Sequence, residues 1–348
     1  MFYHYYMNVT FSKWQNKTNP KFPSPEKVRD EIVQTMKGMY TATMVPSVTL
    51  YLASINSDYS QAYCSANPLT DEEHGGAVGV LKQFLIIVLV SDFWEWGYHR
   101  LGHVYPPFWQ VHKHHHVSAS VAERSECCVV TMRRKPSAGR TACCLLLCPQ
   151  FPEHASLRFS PMCVAHQVFF NPSPFAVIAD EYVDQFFRAL PLLLFPMLYP
   201  INMDVMFFTY GLFFYAYGVY LHWGYESDWL HAHNPIVNTS FQHYCHHAKA
   251  ILKKPYHCGF FLKCWDQIMH QVSGSGIYPQ DRCFCASCER TKGNRSLEKF
   301  KEVKVPNYGC LLTLEFWSRP GTFSGTSAGD TNDVLTEEEK FFNEKKGK

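Results

Sequence analysis

The most apolar stretch of the chain, residues 76–98 (GAVGVLKQFLIIVLVSDFWEWGY), runs directly into a histidine-rich segment. It has the length of a helix that crosses a bilayer, which takes about 20 residues. A span of this kind narrows the choice of fold, because its backbone polar groups must be satisfied within the helix. Lys82 can snorkel from it, and Asp92 and Glu95 fall near the end that carries His99. Asp92, Glu95 and His99 share one helical face. Two readings of the acids are open: a cap at the interface, or groups that orient the histidine or pass a proton.

His99 and His103 form an H-x-x-x-H pair on one face of the same helix. After Pro106-Pro107 comes an H-x-x-H-H set, His112, His115 and His116, and far downstream His243, His246 and His247 repeat that spacing. Imidazole is the commonest side-chain ligand for iron, copper and zinc. Eight histidines in three spaced groups can hold two metal ions. His114, His231, His233, His257 and His270 are read first as ordinary surface or capping residues.

A net charge of +2 and a charged fraction of 18% give no support to nucleic acid as a partner. Aromatic residues make up 16% of the chain and gather in the apolar runs and their flanks, as in the interfacial belts of membrane proteins. The mean hydropathy of −0.19 leaves room for sizeable polar segments beside the membrane part. The N-terminal residues lack the apolar core of a signal peptide. The 14 cysteines are therefore read as reduced and facing the cytosol.

Three regions follow from this pattern. Residues 1–75 are an N-terminal segment, irregular to about residue 30, with a possible first membrane helix over 31–55 broken at Pro46. Residues 76–270 form the metal-binding membrane domain, with an ordered return segment at 168–185 and a tight helical hairpin from the apolar runs 186–203 and 205–223. Residues 271–348 are a polar, cysteine-containing tail. Residues 117–167 break the pattern, with six cysteines, a basic cluster at Arg133-Arg134-Lys135 and no sustained period. A structureless loop of that size is unusual inside a compact domain. Joining His116 to Val168 gives a smooth continuation, and the insert's Val-Ser start and His-Gln end can be encoded with GT and AG at its borders. We read it as a retained intron.

The spacing H-x-x-x-H, H-x-x-H-H, a histidine in HWGYE and a final H-x-x-H-H resembles the fatty acid hydroxylase superfamily of membrane oxygenases. Over about 80–270, without the insert, the chain is most similar to its sterol C-5 desaturase (lathosterol oxidase) branch. The residues that carry this are Tyr98-His99-Arg100 with His103, then His112-Lys113 with His115-His116, then NPSPFAVIADEYVDQFFRALP. His222-Trp223, FQHYCHH, Tyr256, Gly259 and Trp265-Asp266 complete the set. The insert, His114, His257 and the QIMHQVSGSGIYP stretch after Asp266 depart from the family's pattern.

The resemblance implies an all-α, polytopic integral membrane protein with about four spanning or half-spanning helices and a cytosolic histidine-box di-metal domain. It implies His99, His103, His112, His115, His116, His222, His243, His246 and His247 as ligands of two Fe ions, with Zn as a possible substitute. Asp92, Glu226, Asp228 and Asp266 are candidate hydrogen-bond partners for these rings. The implied reaction is O2-dependent desaturation of a sterol, with electrons from NAD(P)H through a reductase and a b-type cytochrome. Hydroxylation of a fatty acyl or sphingolipid substrate, or oxidation of a C-4 methyl sterol, fits the same motifs. An inactive zinc-bound membrane scaffold is the rival from another class. The implied location is the endoplasmic reticulum membrane, and Lys345 and Lys346 near the C-terminus resemble its dilysine retrieval signal.

Cys283-x-Cys285-x-x-Cys288 is a separate metal-like cluster. With Cys310 or His270 it could build a structural zinc site. The spacing is not that of a standard zinc ribbon, and reduced cysteines on a cytosolic tail are the simpler reading.

Overall fold

The computed structural model describes residues 17–18, 22–116, 173–227, 229–249, 255–292 and 306–318, and the side chains of residues 113–116 and 290 are outside this set. The 117–167 insert lies outside it as well. Among the described residues the fold is mostly helical, with one two-residue parallel pair, β1 (Ala62–Tyr63) on β2 (Ile201–Asn202).

Helix α1 (Pro25–Ser54) starts earlier than its apolar pattern predicts, because Ser24 caps it by accepting from the Lys27 amide at 3.3 Å and Pro25 occupies its first turn. It continues through Pro46 without a break. Packing sustains the helix where the proline removes a hydrogen bond: Thr41, Ala42, Val45 and Thr49 around it are buried, and Thr49 Oγ1 donates to the Leu192 carbonyl at 2.9 Å. Gly38 lets α1 lie against the 3-10 turn Pro174–Ile178, where a Cβ would overlap the Ile178 carbonyl.

Helix α2 (Gly76–Val104) holds the apolar run and the first histidine pair in one rod of 29 residues. It ends because Tyr105 precedes Pro106, which drives that residue to an extended conformation, φ −108° and ψ 114°. Pro106 then opens α3 (Pro106–His116), which folds back on α2. Among the described residues, α2 is the one α-helix long and apolar enough to cross a membrane. Val78, Leu81, Leu85 and Leu89 on α2 and Tyr40, Val48 and Tyr51 on α1 leave an exposed apolar surface.

The first arm of the expected hairpin is divided into α4 (Tyr182–Ala189) and α5 (Pro191–Leu198), since Pro191 starts a new helix. The second arm is a continuous helical rod. Asn202 caps α6 (Met203–Thr209), a π-helical stretch Tyr210–Ala216 follows, and α7 (Tyr217–His222) completes it. This rod packs on α2 through Ile87, Met206 and Tyr210, with Ser91 Oγ and the Tyr210 hydroxyl 2.6 Å apart. Helix α8 (Ser240–Lys249) carries the last histidine group, and α9 (Cys264–Ser273) closes the domain.

Candidate metal centre

The last turns of α2 place His99 and His103 one turn apart, with ring centroids separated by 5.5 Å. Gly102 lets α3 approach closely enough to bring His112 beside them. From the other side, α8 supplies His246, whose Nε2 lies 3.2 Å from His103 Nε2. One ligand atom from each of His99, His103, His112 and His246 falls within 4.8 Å of all the others.

A second group forms where the C-terminus of α7 meets α8. His222 Nε2 is 2.8 Å from His243 Nε2, which is 3.1 Å from His247 Nε2. The two groups are neighbours because α8 feeds both: the stacked rings of His243 and His246 are 6.1 Å apart. All of these rings are buried except that of His99, which is half-buried.

The outer ring nitrogens are held in place. His99 Nδ1 lies 3.1 Å from the Cys258 carbonyl, His222 Nδ1 is 2.8 Å from that of Gly218, and His246 Nδ1 is 2.7 Å from that of Tyr256. A carbonyl accepts only, so each Nδ1 carries the proton and Nε2 is the lone-pair atom. His112 Nδ1 is placed in the same way, 3.0 Å from Asp184 Oδ2. Burial pushes the His246 imidazole down to about 3, and burial with neighbouring histidines holds His243 and His247 well below the ordinary range. These rings are therefore neutral, which is the ligating form.

The donor set fits a pair of metal ions. Two imidazole nitrogens bound at about 2.0–2.1 Å to one ion stand roughly 3.0–3.4 Å apart. The Nε2 pairs here span 2.8–3.2 Å. Neutral imidazoles suit iron and zinc alike.

A small cavity touches both groups, lined by His99 and His112 from one and His222 and His243 from the other, with Glu95 and Arg188 also in its wall. It adjoins a second cavity that shares Glu95, Arg188 and Phe260 but is otherwise largely apolar, with Ile178, Leu192 and Phe214 in its wall. The π-helical stretch supplies Tyr210, Phe214 and Tyr215 to that wall. Such stretches are frequent at functional sites. Arg188 is held between the two spaces by Glu95 Oε2, 3.0 Å from its Nε, and by Asp180.

Seven of the nine expected ligands come together in these two groups. His115 and His116 lie on the last turn of α3, and their side chains are outside the described residues. The expected hydrogen-bond partners need correction. Asp92 accepts from the Phe261 amide at 2.6 Å, the Leu262 amide at 3.0 Å and Trp265 Nε1 at 2.8 Å. Asp266 accepts from the Gly259 amide at 2.7 Å and Trp96 Nε1 at 3.1 Å. Both acids close residues 258–266 against α2, and that closure delivers the Cys258 carbonyl to His99. Glu226 accepts from Thr239 Oγ1 at 3.4 Å, and Asp228 is outside the described residues. Glu95 binds Arg188, which favours neither of its two sequence-based readings.

Asp184 and Arg188 are the site residues that the histidine spacing does not reveal. Their signal is the i, i+4 pair Asp184 and Arg188, an acid and a base one turn apart on α4. His257 joins neither group: its backbone has φ 51° and its Nε2 accepts from the Tyr278 amide at 3.2 Å, so it ties down the following loop.

No protein-family profile matches the chain, and no solved structure matches it. Among curated proteins it is similar to a Delta(7)-sterol 5(6)-desaturase of Leptosphaeria maculans, with 33% identity over 120 residues. The match covers 34% of this chain and 30% of that relative, about a third of each. The similarity points to an oxidoreductase of the lipid desaturase or hydroxylase type, and the histidine groups are able to bind metal.

Proposed function

We propose that the chain is a membrane-bound, non-haem di-iron oxidoreductase that desaturates a sterol at C-5(6). The observation that carries this reading is the meeting of two histidine groups at one small cavity, next to an apolar cavity of the same fold. His99, His103, His112 and His246 would hold one iron and His222, His243 and His247 the other, with His115 and His116 as further ligands. Iron bound there supplies, with dioxygen, an oxidant strong enough for an unactivated C–H bond. The substrate gives up two hydrogens and NAD(P)H supplies two electrons through a reductase and a b-type cytochrome, so that dioxygen leaves as two waters.

The residues of the chain orient and enclose. The apolar wall of Ile178, Leu192 and Phe214 excludes water beside the histidines and marks the side from which a hydrocarbon skeleton would approach. The carbonyls of Cys258, Gly218 and Tyr256 and the Asp184 carboxylate fix the rings so that Nε2 faces the metals. Arg188, neutralised by Glu95 and Asp180, forms a polar partition between the two spaces. The exposed apolar faces of α1 and α2 meet lipid in a polytopic arrangement in the endoplasmic reticulum, with residues 76–270 as the catalytic domain and 271–348 on the cytosolic side.

The test is expression in yeast lacking its own sterol C-5 desaturase, both of the full chain and of the version without 117–167, followed by sterol profiling. The reading predicts a Δ5 sterol from at least one version and about two irons per purified chain. A hydroxylated lipid in place of the Δ5 sterol would move the assignment to the hydroxylases. Zinc in both histidine groups and no oxidised lipid from either version would refute it.

A further inference from the structure

A third gathering of ligand atoms lies apart from the histidine groups. His233, Cys283, Cys285 and Cys288 each offer one atom, and these four atoms fall within 4.8 Å of one another. His233 Nε2 is 3.3 Å from Cys285 Sγ and 3.1 Å from Cys288 Sγ. The backbone amide of Cys288 points at Cys285 Sγ across 3.4 Å. The three thiols are all free of disulfides.

Cys283 and Cys285 lie on the approach to the short helix α10 (Ala286–Thr291), and Cys288 lies within it. Their inner side packs on Ala232, Phe241 and Cys245. His233 comes from the turn that leads into α8, the helix carrying His243, His246 and His247. Cys310 and His270, the fourth ligands considered from sequence, are not part of the group: Cys310 Sγ donates to the Asn307 carbonyl at 3.2 Å, and His270 lies on α9.

We propose that these four residues form a structural zinc site of the Cys3His class. Thiolate and imidazole ligands held at about 2.3 and 2.0–2.1 Å from a tetrahedral zinc stand roughly 3.5 Å apart, close to the sulfur–nitrogen spacings here. The Cys288 amide aimed at Cys285 Sγ is the kind of supporting hydrogen bond that steadies a metal-bound thiolate. Four protein ligands leave no open position, so the ion is structural and not catalytic. It pins residues 283–288 to the turn before α8 and so fixes the segment from which the last histidine group enters the di-metal centre. The assignment does not depend on the iron reading.

The experiment is metal analysis and zinc K-edge absorption on the purified full chain, supplied with zinc during expression. The expected spectrum contains a site of three sulfurs at about 2.3 Å and one nitrogen at about 2.0–2.1 Å, with nitrogen scattering added by any zinc in the histidine groups. Cys285→Ser and His233→Ala each remove about one zinc per chain, and Cys285→Ser weakens the sulfur scattering with it, whereas His233→Cys retains the zinc with a fourth sulfur in its shell. If the serine variant fails to fold, the wild-type spectrum still decides. A zinc shell without sulfur, a chain purified without zinc, or zinc content unmoved by the Cys285 change overturns the proposal.

Discussion

His112 Nδ1 and Asp184 Oδ2 stand 3.0 Å apart, and both side chains are buried. The pair joins the helix after the first histidine pair to the segment that bears Arg188. The carboxylate can only accept, so it keeps the His112 proton on Nδ1. Asp184→Asn retains the shape but loses the charge and the unambiguous acceptor. We expect iron affinity to fall about 10–100-fold in this variant, with product falling in parallel. Competition with a chelator, followed by iron content, reads the change; equal resistance of variant and wild type would show that Asp184 does not support the ring.

Gly102 is where α2 and α3 touch. A Cβ there would lie 2.8 Å from His112 Cγ and 2.9 Å from its Cβ and Cδ2. Gly102→Ala must therefore push the imidazole away from His99 and His103. The helix-propensity gain of a glycine-to-alanine change, about 1 kcal/mol, offsets part of the roughly 1–3 kcal/mol that the overlap costs. The expected result is a chain that folds but binds less iron at the first histidine group, measured as iron per chain with the helical circular dichroism as control.

Asp92 takes three donors at once, two backbone amides and the Trp265 indole. Truncation to alanine leaves these part-buried groups without that partner, each at a cost of about 1 kcal/mol, the low end of the range for buried groups. Asp92→Ala should lower the unfolding midpoint in detergent by roughly 6–12 °C, and Asp92→Asn by less. A catalytic role limited to proton transfer predicts lost activity at an unchanged midpoint, and a melting curve separates the two.

The insert is tested on the transcript. Reads spanning residues 117–167 should be rare beside reads that join His116 to Val168, and abundant coding reads for the whole insert would reject the intron. All of the histidines and acids assigned to the site lie outside it, so the shorter chain should keep the same metal content.

The histidine pattern made much of the centre legible, because spacings of three and four residues on a helix already commit rings to one face. Groups far apart in sequence could be paired only by family likeness. The partners of those rings were not legible. Three are backbone carbonyls, which leave no mark in a sequence, and the closure that delivers the Cys258 carbonyl depends on Asp92 meeting residues 261–265. His233 was passed over for a similar reason: it stands fifty residues from the nearest cysteine of its group, and only the packing of α8 against Cys283 and Cys285 brings them together. The π-helical stretch likewise has no periodic signal in YGLFFYA, since its turns are set by packing against α2 and Phe260.

The length of α2 has a consequence for where the substrate must go. From Gly76 to His99 the helix rises about 35 Å, more than the roughly 30 Å of a bilayer's oily interior. Under the proposed function, α2 upright across the membrane would set the metals at headgroup height. A rigid four-ring lipid, the substrate we propose, would then have to climb out of the hydrocarbon to meet them, its tail still immersed, and only the part that surfaces would be open to oxidation.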